Sequence, residues 1–387
     1  MQDVKDWIIK EGRLLENPLD FITLLCDKIL EAGIPISRLR IGFRTIHPQI
    51  DIWAFTWTDE GRKADLWGGE HGIRNSDKYF GSPAEWVHTH NKTFRRRLDE
   101  LNEETDHLLL FEQRDLGLTD YLMVPMPFTD ETLPVASFVT AAEGGFTDQQ
   151  IKDLEDLSLY ISPIVEIYAT QKVALTLLDT YIGHRSGSKV MSGLMQRGDG
   201  EVIEAALWLS DIREFTALSE KLNHTEIFSL LNTYFQCLAD AVKDYDGEIL
   251  KFIGDAALVI FPVDQETSAE KACQNALKAA KQSFTNIHDI NLERQARGKP
   301  DIHFGVGLHF GRVVYGNVGA LDRLDFTVTG PAVNLTARLE SLTKETGKPL
   351  LLSSDFTKQL KSDFPYVGDY DMKGIEGKQK VFTTDVL

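Results

Sequence analysis

Long apolar runs are missing from this sequence: nowhere do about 18 consecutive apolar residues occur, which excludes a membrane-spanning helix as the organising element. The start, Met1-Gln2-Asp3-Val4-Lys5-Asp6-Trp7, has no basic segment followed by an apolar stretch, so no leader peptide is expected. Cysteine is scarce as well. Cys26, Cys237 and Cys273 lie far apart with no CxxC spacing, which argues against a disulfide framework or a zinc site and for reduced, buried thiols. Positive charge is in deficit, with 41 Lys and Arg against 59 Asp and Glu and a formal net charge of -18. That balance opposes general attraction to nucleic acid phosphates or anionic lipid. The expectation is a soluble cytoplasmic protein without nucleic acid or membrane partners. What is present is length: 387 residues exceed the usual single domain and suggest two domains and a connector.

The N-terminal part begins with a helical pattern over residues 3–34, where Trp7, Ile8, Leu14, Leu15, Phe21, Leu24, Leu25, Ile29 and Leu30 recur at helical intervals and Gly33 acts as a stop. Period-two patterns follow. Trp53, Phe55 and Trp57 share one face of a strand over 50–57, and further strands are expected over 121–128 and 134–142. The aromatic face reads as core packing, with a ligand-lining role as the alternative. An antiparallel sheet flanked by helices is similar to a GAF-type or PAS-like sensor domain, covering residues 1–145. Residues 146–193 read as helical, opened by the capping-type start Thr147-Asp148-Gln149-Gln150. Leu154, Leu157, Ile161, Ile164, Tyr168, Gln171, Leu175, Leu178 and Ile182 follow steps of three and four, the spacing of a coiled-coil seam. Ser162-Pro163 predicts a new helix start or a kink. A dimer stalk and two helices packed on their own domain both remain open.

From Ala205 the pattern runs strand, helix, hairpin, helix, strands. The strands are 205–209, 248–252, 256–261, 302–309 and 312–317, the last two separated at Phe310-Gly311, with helices over 225–245 and 268–293. This order predicts an α+β fold with a ferredoxin-like α/β sandwich. Two aspartates, Asp211 in Leu209-Ser210-Asp211-Ile212 and Asp255 in Phe252-Ile253-Gly254-Asp255, each follow a strand-like run. Gly254 permits a tight turn that aims Asp255 off the sheet edge beside Asp211. Two converging carboxylates repel unless cations sit between them, and hard oxygen ligands suit Mg²⁺ or Mn²⁺. Asn334 and Arg338 lie four apart on a helix after Gly330-Pro331, so they share a face.

These segments together resemble a class III nucleotidyl cyclase catalytic domain over residues 201–387, about half the chain, with residues 146–200 as a helical linker, dimer stalk and transducer. The resemblance implies two metal ions per site held by Asp211, Asp255 and the backbone carbonyl of Ile212. It assigns Lys251 and Thr327 to the adenine edge, Asn334 to orienting the ribose and Arg338 to the α-phosphate. Lys373, near Lys378 and Lys380, aligns with a lysine that contacts the terminal phosphates. Guanine-selective relatives tend to carry Glu and Cys where this chain has Lys251 and Thr327, so ATP is the expected substrate and 3′,5′-cyclic AMP with pyrophosphate the expected products. The metal aspartates and the Lys, Thr, Asn and Arg set come from different subunits in the family, which implies a homodimer with two shared sites. Glu214 replaces a glycine often found in relatives, and Pro331 stands where Asp or Asn is common. The rival readings are a guanylate cyclase, a nucleotide-binding pseudo-cyclase without turnover, and a ferredoxin-like RNA binder. The last is disfavoured by charge and by the lack of an aromatic RNP-type strand motif. The signal received by the N-terminal domain is not legible.

Overall fold

A computed structural model describes residues 1–130 and 132–386. The chain divides into two compact units, Met1–Leu177 and Leu178–Leu387.

The first unit opens with α1 (Gln2–Lys10), a short 3₁₀ turn and α2 (Pro18–Glu31), which corrects the single helix expected over 3–34. The reason is local. Asn17 is extended ahead of Pro18, and its side chain caps α2 by accepting from the Leu19 N–H at 3.0 Å. The strands are β1 (Arg38–Arg44), β2 (Ile50–Thr58), β3 (Ala64–Glu70), β4 (Phe94–Arg97), β5 (Asp120–Pro125) and β6 (Val135–Thr140). They form one antiparallel sheet in the order β3-β2-β1-β6-β5-β4. Helices α3 (Pro83–His90) and α4 (Leu108–Asp115) are followed by α5 (Asp148–Ile182). One sheet face, with Leu39, Ile41, Phe43, Phe55 and Trp57, packs on α1, α2 and α5 as the core of this unit. Trp53 lies at its border, so the aromatic face of β2 is core and not the lining of a cavity.

Helix α5 runs unbroken through Pro163, against the expected restart or kink. Pro163 is exposed, and the carbonyl it leaves unpaired belongs to Leu159, whose side chain is also exposed, so water can satisfy it. The apolar stripe divides. Leu154, Leu157, Ile161, Ile164 and Tyr168 are buried in the core of this unit, while Gln171 and Leu175 are exposed.

The second unit contains α6 (His184–Met191), β7 (Gly200–Ile212), α7 (Phe215–Ser219), α8 (His224–Asp244), β8 (Glu248–Ile253), β9 (Ala256–Pro262), α9 (Ala269–Ala296), β10 (Phe304–Gly319), β11 (Leu324–Thr329) and α10 (Pro331–Thr346). β12 (Leu350–Ser353), α11 (Ser354–Thr357), β13 (Tyr366–Asp371) and β14 (Lys378–Thr383) complete it. The sheet order is β13-β14-β12-β10-β7-β9-β8, with β11 on β10. Four of its strands in the order β10-β7-β9-β8, with α8 between β7 and β8 and α9 between β9 and β10, are the ferredoxin-like arrangement. β10 is one continuous strand, correcting the break expected at Phe310-Gly311. It pairs with β7 from Phe304 opposite Ile212 to Gly316 opposite Gly200, and this ladder overrides the local turn signal. Helix α10 lies tight on β10, since a Cβ at Gly307 would stand 2.5 Å from the Glu340 nitrogen. All three cysteines are buried and free.

Candidate active site

Two strand ends build the acidic centre. Asp211 is the penultimate residue of β7, opposite Ala256 of β9, and Asp255 sits in the β8–β9 turn beside Gly254 at φ +64°. The two carboxyl groups lie close enough for each to perturb the other, and this contact is felt at Asp255. Burial, then this contact and the Asp211 charge, raises the Asp255 pKa well above the usual carboxylate range. Beneath them the buried Tyr234 hydroxyl donates to the Ser210 hydroxyl at 3.0 Å, and Ile212 ends the strand, 2% exposed. An ammonium already reaches this centre, with Lys344 Nζ 3.0 Å from Asp211 Oδ2. The pair therefore attracts positive charge. Among the described residues no group of three or more His, Cys, Asp or Glu side chains converges anywhere. Two carboxylates and a carbonyl leave most of a coordination sphere open, which fits ions such as Mg²⁺ that keep waters and share phosphate oxygens.

A clamp fixes α10 against this end of the sheet. Arg213 lies 2.9 Å from the Glu340 carboxylate, a close ion contact rather than a directed hydrogen bond, and its Nη2 donates to Thr343. Burial pushes the Glu340 pKa up and the Arg213 charge opposes it. Gly305, opposite Asp211 on β10, makes room for this guanidinium. Glu214, which follows, adopts φ +56°, and this left-handed conformation explains why glycine suits the position.

The remaining sequence-predicted residues lie apart from the acidic pair. Lys251 of β8 reaches Asp325 of β11 at 3.8 Å, and Thr327 stands two residues along β11 on the same face. The Thr327 hydroxyl is buried and has no hydrogen-bond partner. Asn334 and Arg338 are exposed on α10, on the opposite side from Glu340, and Arg338 has no carboxylate partner among the described residues. Lys373 is exposed in the β13–β14 connection. One chain thus gathers Asp211, Ile212 and Asp255 at one point and Lys251 and Thr327 at another.

Sequence reasoning missed Lys344, Arg213 and Glu340. Lys344 and Glu340 are four apart on α10, a spacing that hints at a shared face but not at what that face meets. It also missed Glu248 at the start of β8. This buried carboxylate accepts from the Ser186 N–H at 3.0 Å and from the Tyr315 hydroxyl at 3.1 Å.

Comparison with known proteins shows what this part of the chain is similar to. Residues 201–385, just under half of the chain, match the family described as Adenylate and Guanylate cyclase catalytic domain. The chain is similar to an adenylate cyclase of Anabaena cylindrica, 36% identical over 150 residues, which are 39% of this chain and 29% of that protein. It is also similar to adenylate cyclase 1 of Rhizobium meliloti (strain 1021), 28% identical over 242 residues, 59% of this chain and 36% of that protein. The chain thus spans well under half the length of these curated relatives. Among solved structures, the adenylyl cyclase CyaB from P. aeruginosa aligns at 29% identity with a TM-score of 0.43, covering 47% of this chain and 94% of that one. No helix among the described residues is long and apolar enough to cross a membrane.

Proposed function

We propose that the chain is an adenylate cyclase that converts ATP to 3′,5′-cyclic AMP and pyrophosphate at a site shared by two copies. The observation that carries this reading is the convergence of the Asp211 and Asp255 carboxyl groups, which already attract the Lys344 ammonium. Two Mg²⁺ or Mn²⁺ ions, when bound, would supply neutralisation of the triphosphate and acidification of the ribose 3′-hydroxyl. Asp211, Asp255 and the Ile212 carbonyl would hold them. Arg338 stabilises charge on the α-phosphate as the 3′-oxygen attacks in line and pyrophosphate leaves. Asn334 orients the ribose, and Lys373 binds the terminal phosphates. Lys251 and Thr327 read the adenine edge, a role supported by the buried Thr327 hydroxyl that lacks a partner. Catalysis is then mainly positioning and charge stabilisation.

Sharing between copies is supported by the placement of Asn334 and Arg338 on the exposed face of α10, turned away from the acidic pair. Exposed Phe252 and Ile253 beside Asp255 offer apolar surface for a partner copy. Residues 1–145 are read as a GAF/PAS-like sensor and 146–200 as the transducing linker, on the strength of the six-stranded antiparallel sheet and the long α5. The test is purified protein with ATP or GTP and Mg²⁺ or Mn²⁺, assayed for cyclic nucleotide. Cyclic AMP formation lost in both Asp211→Ala and Asp255→Ala supports the reading. Turnover unchanged in either variant rejects the site, preference for GTP makes it a guanylate cyclase, and nucleotide binding without turnover makes it a pseudo-cyclase.

A further inference from the structure

The sheet of the first unit has a second face unlike its core. On β1 the residues that alternate with Leu39, Ile41 and Phe43 are Arg38, Arg40, Gly42 and Arg44, and they line a cavity of about 800 Å³. Residues 73–82, α3 and α4 enclose it, and its volume suits a small molecule. Tyr121, Met123, Val135 and Val139 give it an apolar wall. Two of the four lining arginines are satisfied: Arg44 pairs with Asp51 at 2.7 Å, and Arg38 donates to the Gln113 amide oxygen at 3.2 Å.

Arg40 and Arg74 are different. Arg40 has no carboxylate or hydrogen-bond partner among the described residues and lies over the Trp67 ring, 4.7 Å from its centre. Burial, with the Arg38 charge beside it, lowers its pKa, the mark of a cation that lacks compensation. Arg74 faces the Tyr79 ring at 5.4 Å, and its buried Nε has no hydrogen-bond partner. The acidic lining residues, Asp77 and Glu112, are both exposed. Desolvated guanidinium groups without anions are costly, and in a chain of net charge -18 their concentration in one cavity calls for an anionic occupant.

We infer that this cavity binds a small molecule with an apolar ring body and one carboxylate or phosphate group, the anion pairing with Arg40 and Arg74 and the ring covering the Tyr121–Met123 wall. Gly42 sets the depth of the floor. A Cβ there meets nothing within 4 Å, and its backbone is outside the left-handed region, so a side chain can be added without strain. This inference uses only the first unit and holds whether or not the second unit turns over ATP.

The test titrates the full chain with anilinonaphthalene sulfonate and with its neutral counterpart N-phenylnaphthylamine, following fluorescence. The sulfonate dye should bind saturably at one site per chain, and Arg40→Met should weaken it about tenfold or more while changing the neutral dye by about twofold at most. Gly42→Leu should exclude both dyes with the thermal unfolding midpoint held, which separates a filled cavity from a damaged fold. Naphthoate and naphthyl phosphate then compete against the sulfonate dye, and the stronger competitor identifies the anion class. Unchanged sulfonate binding in folded Arg40→Met, retention of both dyes in Gly42→Leu, or failure of both competitors would overturn the inference. Should Arg40→Met not fold, Arg74→Met and the Gly42→Leu comparison decide.

Discussion

Replacing Glu248 by alanine is expected to destabilise the C-terminal unit by about 3 kcal/mol. Gly183, at the N-cap of helix α6, has no side chain to cap it, and Ser186 is the third residue of the helix. The Glu248 carboxylate serves as the missing cap from another element: Oε1 accepts from the Ser186 N–H at 3.0 Å and lies 3.2 Å from its hydroxyl. The other oxygen accepts from the Tyr315 hydroxyl at 3.1 Å, and burial with the Glu248 charge keeps that phenol protonated far into alkaline pH. Losing the cap costs about 1 kcal/mol. Leaving the buried Tyr315 hydroxyl with fewer acceptors costs a further ~1–3 kcal/mol. For a unit of this size the loss corresponds to a midpoint lowered by roughly 6–12 °C. Scanning calorimetry on the full chain would resolve the transition of this unit, and limited proteolysis near Gly183 would report fraying of α6. In the double variant Glu248→Ala with Tyr315→Phe the loss should be about 1 kcal/mol less than the sum of the two single losses, because both single variants break the same Glu248–Tyr315 hydrogen bond. A loss below about 0.5 kcal/mol in the single variant, or simple additivity in the double, would refute the cap.

Three further outcomes follow from particular contacts. His309 is buried against the Ser353 hydroxyl at 2.8 Å, and burial holds its pKa down to about 4. Above its unfolded pKa of about 6.5 the residue is neutral in both states and contributes no pH dependence. Between about 6.5 and 4 only the unfolded chain gains the proton, so stability falls by roughly 3 kcal/mol, and urea unfolding of His309→Gln should show a shallower acid decline. Parallel declines in the two proteins would count against it. In Gly305→Ala the added carbon would lie 1.3 Å from Arg213 Nη2, so the guanidinium must leave buried Glu340. A loss of about 3 kcal/mol in chemical denaturation is expected. Glu214→Gly should relieve left-handed strain of about 1 kcal/mol, partly offset by greater freedom of the unfolded chain, and a lowered denaturation midpoint would show the strain is absent.

The ferredoxin-like order was legible because each element carries its own period, and the Asp211 and Asp255 positions because each ends a strand. Misreadings arose where a distant partner overrules a local signal. Phe310-Gly311 looks like a turn, yet Gly311 pairs with Ala205 in the middle of the longest ladder of the sheet. Pro163 looks like a break, yet it faces solvent where a lost hydrogen bond is cheap. The opposite error, a helix carried straight through Asn17-Pro18, came from letting apolar periodicity outweigh a cap and a proline. Strand β1, on which Arg38, Arg40 and Arg44 alternate with apolar residues, was not among the strands expected. Nor could the sequence show that the residues opposite supply no carboxylate to Arg40, since they come from other elements far along the chain.

Helix α10 shows how a local spacing acquires meaning only from its neighbours. Two pairs at a four-residue interval occupy it, Asn334 with Arg338 and Glu340 with Lys344. The four-residue spacing by itself does not rank one above the other. Packing separates them: Glu340 is held to the end of β7 by Arg213, which places Lys344 on Asp211, while Asn334 and Arg338 stay exposed. Under the proposed shared site, the helix therefore does two jobs. Its inner face fixes the acidic centre of its own chain, and its outer face presents the ribose and α-phosphate groups to a second copy. A change on the inner face, such as Gly305→Ala, should then impair the metal end of its own protomer, whereas Arg338→Ala should impair the site completed by the partner. Mixing the two inactive variants would restore up to about a quarter of native turnover if subunits exchange at random, since half the dimers are mixed and each contains one intact site. No restoration in a mixture shown to contain mixed dimers would place the two faces in one site.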